Sequence, residues 1–329
     1  MAHAPGKSFR KGLSIVEIMD MFPTEDSARR WFEGIVWKQG RVCPHCGSTH
    51  TSESPCETAS VPYYCHDCQK QFSVRKGTVM EGSPLPFRKW VLAIYLHMTS
   101  LKGVSSMKLH RDIGVTQKTA WFMLQRIRET FRRDDDDNDG PMSGPVEVDE
   151  TYVGGREANK HESRKLKKGR GGVGKSVVIA IKDRDTWEIR AKVIPDTTRD
   201  TLQGFVHSNT GPDATVYTDE HSGYAGIERE HGTVCHSVGE FVREMAHVNG
   251  VESFWAALKR AHKGVYHKIS KRHLNRYVQD FAGRHNVRCS DTIDQLERVV
   301  SSMAGKRLTY DALIADNGLE SGANGGVRV

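Results

Sequence analysis

The sequence predicts an α/β protein: a mixed five-stranded sheet with helices, preceded by a smaller cysteine-rich and helical region. Three observations predict it. From about residue 146 onward, runs rich in β-branched residues (VEVDETYVGG, SVVIAIKD, EIRAKVIP, ATVYTD) alternate with stretches of helical spacing. Nearer the N-terminus stand two C-x2-C pairs. Between the two regions lies RRDDDDNDGPMSGP, whose four consecutive aspartates with Gly and Pro mark a solvated linker.

The 329 residues allow roughly two domains with an ample core. The composition, 37% hydrophobic and 27% charged, is that of a globular chain. No apolar run approaches the ~20 residues of a membrane span, and MAHAPGKSFRKG lacks the apolar segment of a secretory signal. A cytoplasmic protein with no membrane partner is therefore expected. The formal charge of +7 and isoelectric point near 9.0 make an anionic polymer a plausible partner. Seven cysteines, an odd number, without an export signal argue against a disulfide framework.

Taken in order, residues 1–40 form an N-terminal helical segment. TEDSARRWFEGIVWK, from Thr24 to Lys38, has a Thr or Asp cap, early acids, and Ala28, Trp31 and Ile35 at helical spacing. Residues 41–80 hold Cys43, Cys46, Cys65 and Cys68, two pairs 18 residues apart, the spacing of a four-cysteine Zn2+ ribbon. Such a closed site supplies folding energy and leaves no position for chemistry. Cys56, Cys235 and Cys289 have no partner at ligand spacing, and His45, His50 and His66 are expected to be solvated, because four thiolates already complete the tetrahedron.

Residues 81–133 read as helical, with a first helix from Phe87 to Thr99. GVSSMKLHRDIGVTQKTAWFMLQRIRETF then gives a short helix, a turn at Ile113-Gly114-Val115 and a longer helix capped by Thr116. This is the outline of a helix-turn-helix, and Gln117, Lys118, Gln125 and Arg126 are residue types that contact bases and phosphates. A plain helical pair packing on a neighbour is the competing account. The acidic linker occupies residues 134–145.

Residues 146–300 supply three strands, the helix TTRDTLQGFVHSN, a fourth strand in DATVYTDEHSGY, a short strand from Thr233 to His236, and a long helix from about Asn249. That order matches the ribonuclease H-like fold. Asp149 lies within the first strand, pointing opposite to Val148 and Glu150, and Asp219 ends the fourth. An acid within a strand is unfavourable unless a cation or hydrogen bonds compensate it. Glu150 and Glu220 read as edge acids facing water. In HVNGVESFWAALKR, Val251, Phe254, Trp255 and Leu258 form an apolar stripe, with Glu252 and Lys259 sharing a face beside it. Asn249 followed by Glu252 is also a capping-box spacing. Residues 301–329 read as a partly disordered C-terminal extension.

One motif points elsewhere. GRGGVGKS, from Gly169 to Ser176, fits the phosphate-loop pattern at every fixed position. That loop requires a strand before it and a helix after it; here a basic polar run precedes and the strand SVVIAIKD follows. No nucleotide cofactor is expected. From Arg156 to Lys175 eight Lys or Arg and two Glu give a net charge of +6, a loop suited to a phosphate backbone.

VEVDETYVGG, VYTDEHSGY and HVNGVESFWAALKRAHKGVYHKISKRHLNRYVQDFAGRHN, following a zinc ribbon, closely resemble the insertion-sequence transposases of the ISXO-like, zinc-ribbon DDE type. The resemblance spans about Thr24 to Asn286. It implies a ribonuclease H-like catalytic domain in which Asp149, Asp219 and an acid of the last helix bind two divalent ions, Mg2+ or Mn2+. By match to the motif, Glu252 is that acid and Lys259 its DNA-contacting lysine. Some relatives carry asparagine there, so Asn249 is the alternative or an accessory ligand. The implied activity is binding of transposon terminal repeats, metal-dependent cleavage, and strand transfer into target DNA, by a homo-oligomer assembled on DNA at the nucleoid. Lys118, Arg126, Lys165, Lys167, Lys168 and Arg170 are the expected further DNA contacts. A zinc-ribbon DNA-binding regulator, or a nuclease of the same fold without strand transfer, is the alternative.

Overall fold

The computed structural model describes residues 10–54, 61–133, 140–155, 161–164, 172, 174–234 and 248–318. Two units divide the chain: Met1–Arg132 with Val287–Ala315, and Arg133–Asn286 with Asp316–Val329.

Side-chain caps set the helices of the first unit. Helices α1 (Ile15–Met21) and α2 (Glu25–Val36) open on reciprocal caps, Ser14 with Glu17 and Thr24 with Ser27. Helix α2 buries Ala28, Phe32 and Ile35. An antiparallel sheet follows, of β1 (Thr51–Glu53), β2 (Tyr63–Cys65) and β3 (Gln71–Phe72). Helix α3 (Phe87–Thr99) is mostly buried, α4 (Ser106–Ile113) is stopped by Gly114 at φ 61°, and α5 (Gln117–Glu129) starts from Thr116, whose hydroxyl accepts from the Thr119 amide. The helix, turn and helix expected there are present.

The second unit is a five-stranded mixed sheet. Strands β4 (Val146–Val153), β5 (Ser176–Asp183) and β6 (Ile189–Ile194) are antiparallel neighbours. Helix α6 (Arg199–Asn209) crosses over to β7 (Thr215–Asp219), which pairs in parallel with β4, and β8 (Glu230–Val234) adds in parallel beyond it. The spatial order is β6-β5-β4-β7-β8. The short strand expected from Thr233 to His236 is thus β8, of which Cys235 and His236 lie outside the described residues. Helix α7 (Asn249–Ala261), a π-helical turn (His262–Tyr266) and α8 (Lys271–Asn286) complete the unit.

The two-residue period of β4 sorts its side chains between two cores. Val146 and Val148 join Ile179, Ile181, Leu202, Phe205 and Val206 on the α6 face. Val153 joins Ala180, Ala191, Val251, Phe254, Trp255 and Val278 on the face of α7 and α8. Two asparagines of α8 cover the open edge of β6: Asn286 exchanges hydrogen bonds with the backbone of Ile189 at 2.8 and 2.9 Å, and Asn275 accepts from the Val193 amide at 3.0 Å. That pairing blunts an edge that would otherwise recruit another strand.

Two helices return to the first unit, α9 (Thr292–Ser301) and α10 (Tyr310–Ile314). Leu296, Val299 and Val300 share a core with Phe32, Trp90 and Ile94. The sheet unit accordingly ends at Asn286, not at 300, and residues 301–315 pack with the helices. An apolar stripe announces that a helix is buried, but not against which partner. No described helix is long and apolar enough to cross a membrane.

Candidate active site and zinc centre

The cysteine ribbon gathers its ligands on two knuckles. The Gly47 amide donates to Cys43 O at 2.9 Å with Gly47 at φ 78°, and the Cys65 amide donates to Lys70 O at 3.0 Å with Gln69 at φ 57°. All four sulfurs lie within 4.8 Å of one another, with Cys43 and Cys68 3.7 Å apart and Cys46 and Cys65 3.6 Å apart. Thiolates about 2.3 Å from a tetrahedral Zn2+ sit about 3.8 Å apart, so the donor set fits that ion. The Cys68 and Asp67 amides draw the Cys65 thiol down to about 7. Burial and the neighbouring sulfurs push Cys68 up to about 12. Four thiolates cannot accumulate here without a cation, and Zn2+ resolves that conflict. His50 and His66 stack on each other and bond to Asp67 and Ser52, outside the sulfur cluster.

The second site is built on the middle of the large sheet. The register pairs Val146 with Val216 and Glu147 with Tyr217, so Asp149 and Asp219 each stand the same distance further along neighbouring parallel strands. Burial, then the charges of Glu150 and Asp219, push the Asp149 carboxyl up to about 7, against a 2.9 Å hydrogen bond from Trp255 Nε1. The His221 amide donates to Asp219 Oδ1 at 3.1 Å.

Glu150 departs from the sequence expectation of an edge acid facing water. Its side chain is only 7% exposed, because the turn Ser222–Tyr224 after β7 folds over this end of β4. The buried Tyr224 hydroxyl donates to Glu150 Oε2 at 2.8 Å. His221 Nδ1 accepts from the Gly223 amide at 3.0 Å, which leaves its ring proton on Nε2, 3.9 Å from Glu150 Oε1. Burial and the charge of Asp219 raise the Glu150 carboxyl above its ordinary range. Glu220 is exposed, as expected.

Helix α7 lies along β4 and presents the remaining candidates. Its first residue is Asn249, and its N-cap, Val248, makes no side-chain cap bond. The capping-box account of Asn249 and Glu252 therefore fails; the carboxylate of Glu147 accepts from the Gly250 and Val251 amides at 2.7 and 3.2 Å instead. Trp255, one turn beyond Glu252 and one turn before Lys259, is the residue on Asp149. Asn249, Glu252 and Lys259 are all exposed. Among the described residues, only the four cysteines bring three or more ligand atoms within 4.8 Å of one another. Asp149, Glu150 and Asp219 feel one another's charge, while Glu252 stands on the adjoining helix. The all-oxygen donors of Asp149, Asp219 and Glu252 suit Mg2+ or Mn2+.

Residues 141–286 match the ISXO2-like transposase domain, and residues 23–71 match the transposase zinc-ribbon domain. A protein described as uncharacterized in transposable element ISH50, from Halobacterium salinarum, is 31% identical over 281 residues, which cover 81% of this chain and 92% of that relative. The chain belongs to the ISXO2-like transposase family. Its DDE transposase domain implies phosphoryl-transfer chemistry on nucleic acid, and its zinc-ribbon match agrees with the four-sulfur cluster.

The expected DNA contacts fare unequally. Lys118 is exposed near the start of α5, its ammonium 4.5 Å from the centre of the Tyr310 ring. Arg126 is not: it is 8% exposed and donates to the Leu308 and Glu81 carbonyls at 3.1 and 3.0 Å. Gln125 is buried as well. Helix α5 presents its first turn, packs Ala120, Met123, Leu124 and Ile127 into the helical core, and buries Arg126 against the segment before α10. Lys165, Lys167, Lys168 and Arg170 lie outside the described residues. The end of the phosphate-loop look-alike is a tight turn, with Lys175 N bonded to Gly172 O at 2.9 Å and β5 starting at Ser176. A side chain at Gly172 would meet the Tyr152 ring at 2.4 Å, so packing explains that glycine.

Proposed function

We propose that the protein is a transposase that binds the terminal repeats of an insertion sequence, cleaves the DNA at the element ends and joins them to target DNA. The observation that carries this reading is the pair Asp149 and Asp219, level on adjacent parallel strands, with the Asp149 carboxyl pushed up to about 7. Like charges partly shielded from water on adjacent strands are costly, and a site for divalent cations gives them a purpose. The sheet order supports a ribonuclease H-like domain. Asp149, Asp219 and Glu252 would hold two Mg2+ or Mn2+ ions, which supply activation of water or a 3′-hydroxyl and stabilisation of the leaving oxygen.

Each side chain has its own task. Trp255 holds one oxygen of Asp149 and orients the other. His221, through its amide, fixes the Asp219 carboxylate. The anchoring of α7 favours Glu252 over Asn249 as third ligand. Glu252 lies one turn from Trp255 and about 60° from it around the axis, whereas Asn249 lies six residues back, about 9 Å along the helix. Lys259 stands on the other side of Trp255, placed to meet a DNA phosphate. The first turn of α5 with Lys118, the zinc ribbon and the basic loop bearing Lys165, Lys167, Lys168 and Arg170 add DNA contacts, and two copies pair the two ends.

Purified protein with end-bearing DNA and Mg2+ tests the reading. Cut 3′ ends covalently joined to a second DNA support it; cut ends that are never joined make the protein a nuclease, and no cleavage makes it a DNA-binding regulator.

A further inference from the structure

Glu147 occupies the centre of the large sheet and is 2% exposed. A buried carboxylate is strongly unfavourable unless charges and hydrogen bonds meet both its oxygens. Here Oε2 accepts from the Gly250 and Val251 amides at 2.7 and 3.2 Å, and Oε1 accepts from Arg184 Nε at 3.0 Å. Gly250 allows this approach. A Cβ at that position would fall 2.6 Å from Glu147 Oε2 and 2.5 Å from Lys182 Nζ, itself buried. Capping alone does not require such an arrangement, since an ordinary Ser, Thr or Asp before the helix would serve at the surface.

What the arrangement adds is registration. Glu147 and Asp149 are alternate residues on one face of β4, and each receives hydrogen bonds from the same helix, at Gly250 and Val251 and at Trp255. Two anchors fix both the slide and the rotation of α7 against β4. Glu252 lies between them and Lys259 one turn beyond. We infer that Glu147 is a positioning residue: its carboxylate, seated on a helix start where a Cβ at Gly250 would crowd it, sets where Glu252 and Lys259 stand relative to Asp149. The inference rests on the proposed metal site. Partners one step removed from metal ligands typically govern metal affinity by about 10- to 100-fold.

The test uses the full chain loaded with zinc and reads Mn2+ binding by the electron paramagnetic resonance signal of free Mn2+. Glu147→Gln keeps the side-chain volume and removes the charge facing the helix start. Gly250→Ala sets a methyl group against Glu147 Oε2 and Lys182 Nζ and so disturbs the contact between the carboxylate and the helix start. Both variants are expected to weaken Mn2+ binding about 10- to 100-fold, and excess Mn2+ is expected to restore cleavage. Asp149→Asn is expected to abolish binding with no rescue, and Glu188→Gln, in an ion pair with Arg133 and Arg190, to bind as the natural protein does. If Asp149→Asn abolishes Mn2+ binding while Glu147→Gln and Gly250→Ala bind normally, the positioning role is overturned even if both melt at lower temperature. If Asp149→Asn binds normally, the metal site itself is wrong and the inference falls with it. Should Glu147→Gln fail to fold by circular dichroism, Gly250→Ala decides the matter alone.

Discussion

Replacing Asp149 with asparagine should abolish DNA cleavage and, without divalent metal, make the protein more stable. An ordinary aspartate ionises near 3.8; burial, together with the charges of Glu150 and Asp219, moves Asp149 to about 7. Between those values the folded chain holds a proton that the unfolded chain has released. The stability associated with the neutral carboxyl is therefore fully present below about pH 4 and is lost as pH rises through about 7. At 1.36 kcal/mol per tenfold change in the proton equilibrium, the full loss is about 4 kcal/mol. Asparagine keeps an oxygen for Trp255 Nε1 and carries no charge. Urea unfolding without added Mg2+ should give a variant whose advantage grows by about 1.4 kcal/mol per pH unit from pH 5 to 7, then levels off. Saturating Mg2+ narrows the gap, adding about 2.7 kcal/mol to the natural protein at a hundred times the dissociation constant and nothing to the variant. A variant no more stable at pH 8, or an advantage independent of pH, would refute the electrostatic account of this site.

Other outcomes follow from the same residues. Zinc loading near pH 7.5 should release protons, Cys46 and Cys68, whose thiols are held up, among their sources; a pH-stat trace without release would contradict a four-thiolate site, and Cys68→Ser should retain no zinc by colorimetric assay. Arg126→Ala should lower unfolding stability by about 1.5–3 kcal/mol and leave the salt dependence of DNA binding unchanged, because its guanidinium holds the Leu308 and Glu81 carbonyls. Lys118→Ala should weaken DNA binding in a gel-shift assay and lower stability by no more than about 1 kcal/mol, the loss of its contact with the Tyr310 ring. Neutralising Lys165, Lys167 and Lys168 should flatten the plot of log affinity against log salt by about 0.9 for each phosphate that the loop no longer neutralises; an unchanged slope would remove the basic loop from the DNA interface.

Features carried by short spacing were legible in the amino-acid sequence alone: the knuckles of Cys43, Cys46, Cys65 and Cys68, the caps at Thr24 and Thr116, the strands and helices of the mixed sheet, and acids at positions 149 and 219. Local geometry suffices there, because two thiolates on one turn or alternate residues on one strand are placed by the backbone alone. Which groups meet across the fold was settled by tertiary packing. Glu147 and Gly250 are 103 residues apart, Asp149 and Trp255 106, Glu150 and Tyr224 74, and Arg126 and Leu308 182. Strand alternation assigned Glu150 to water and residue type assigned Arg126 to DNA, because these report a side chain's local face and chemistry. They say nothing of the element that will cover that face, and burial, hydrogen bonding and charge at both positions follow from that covering element.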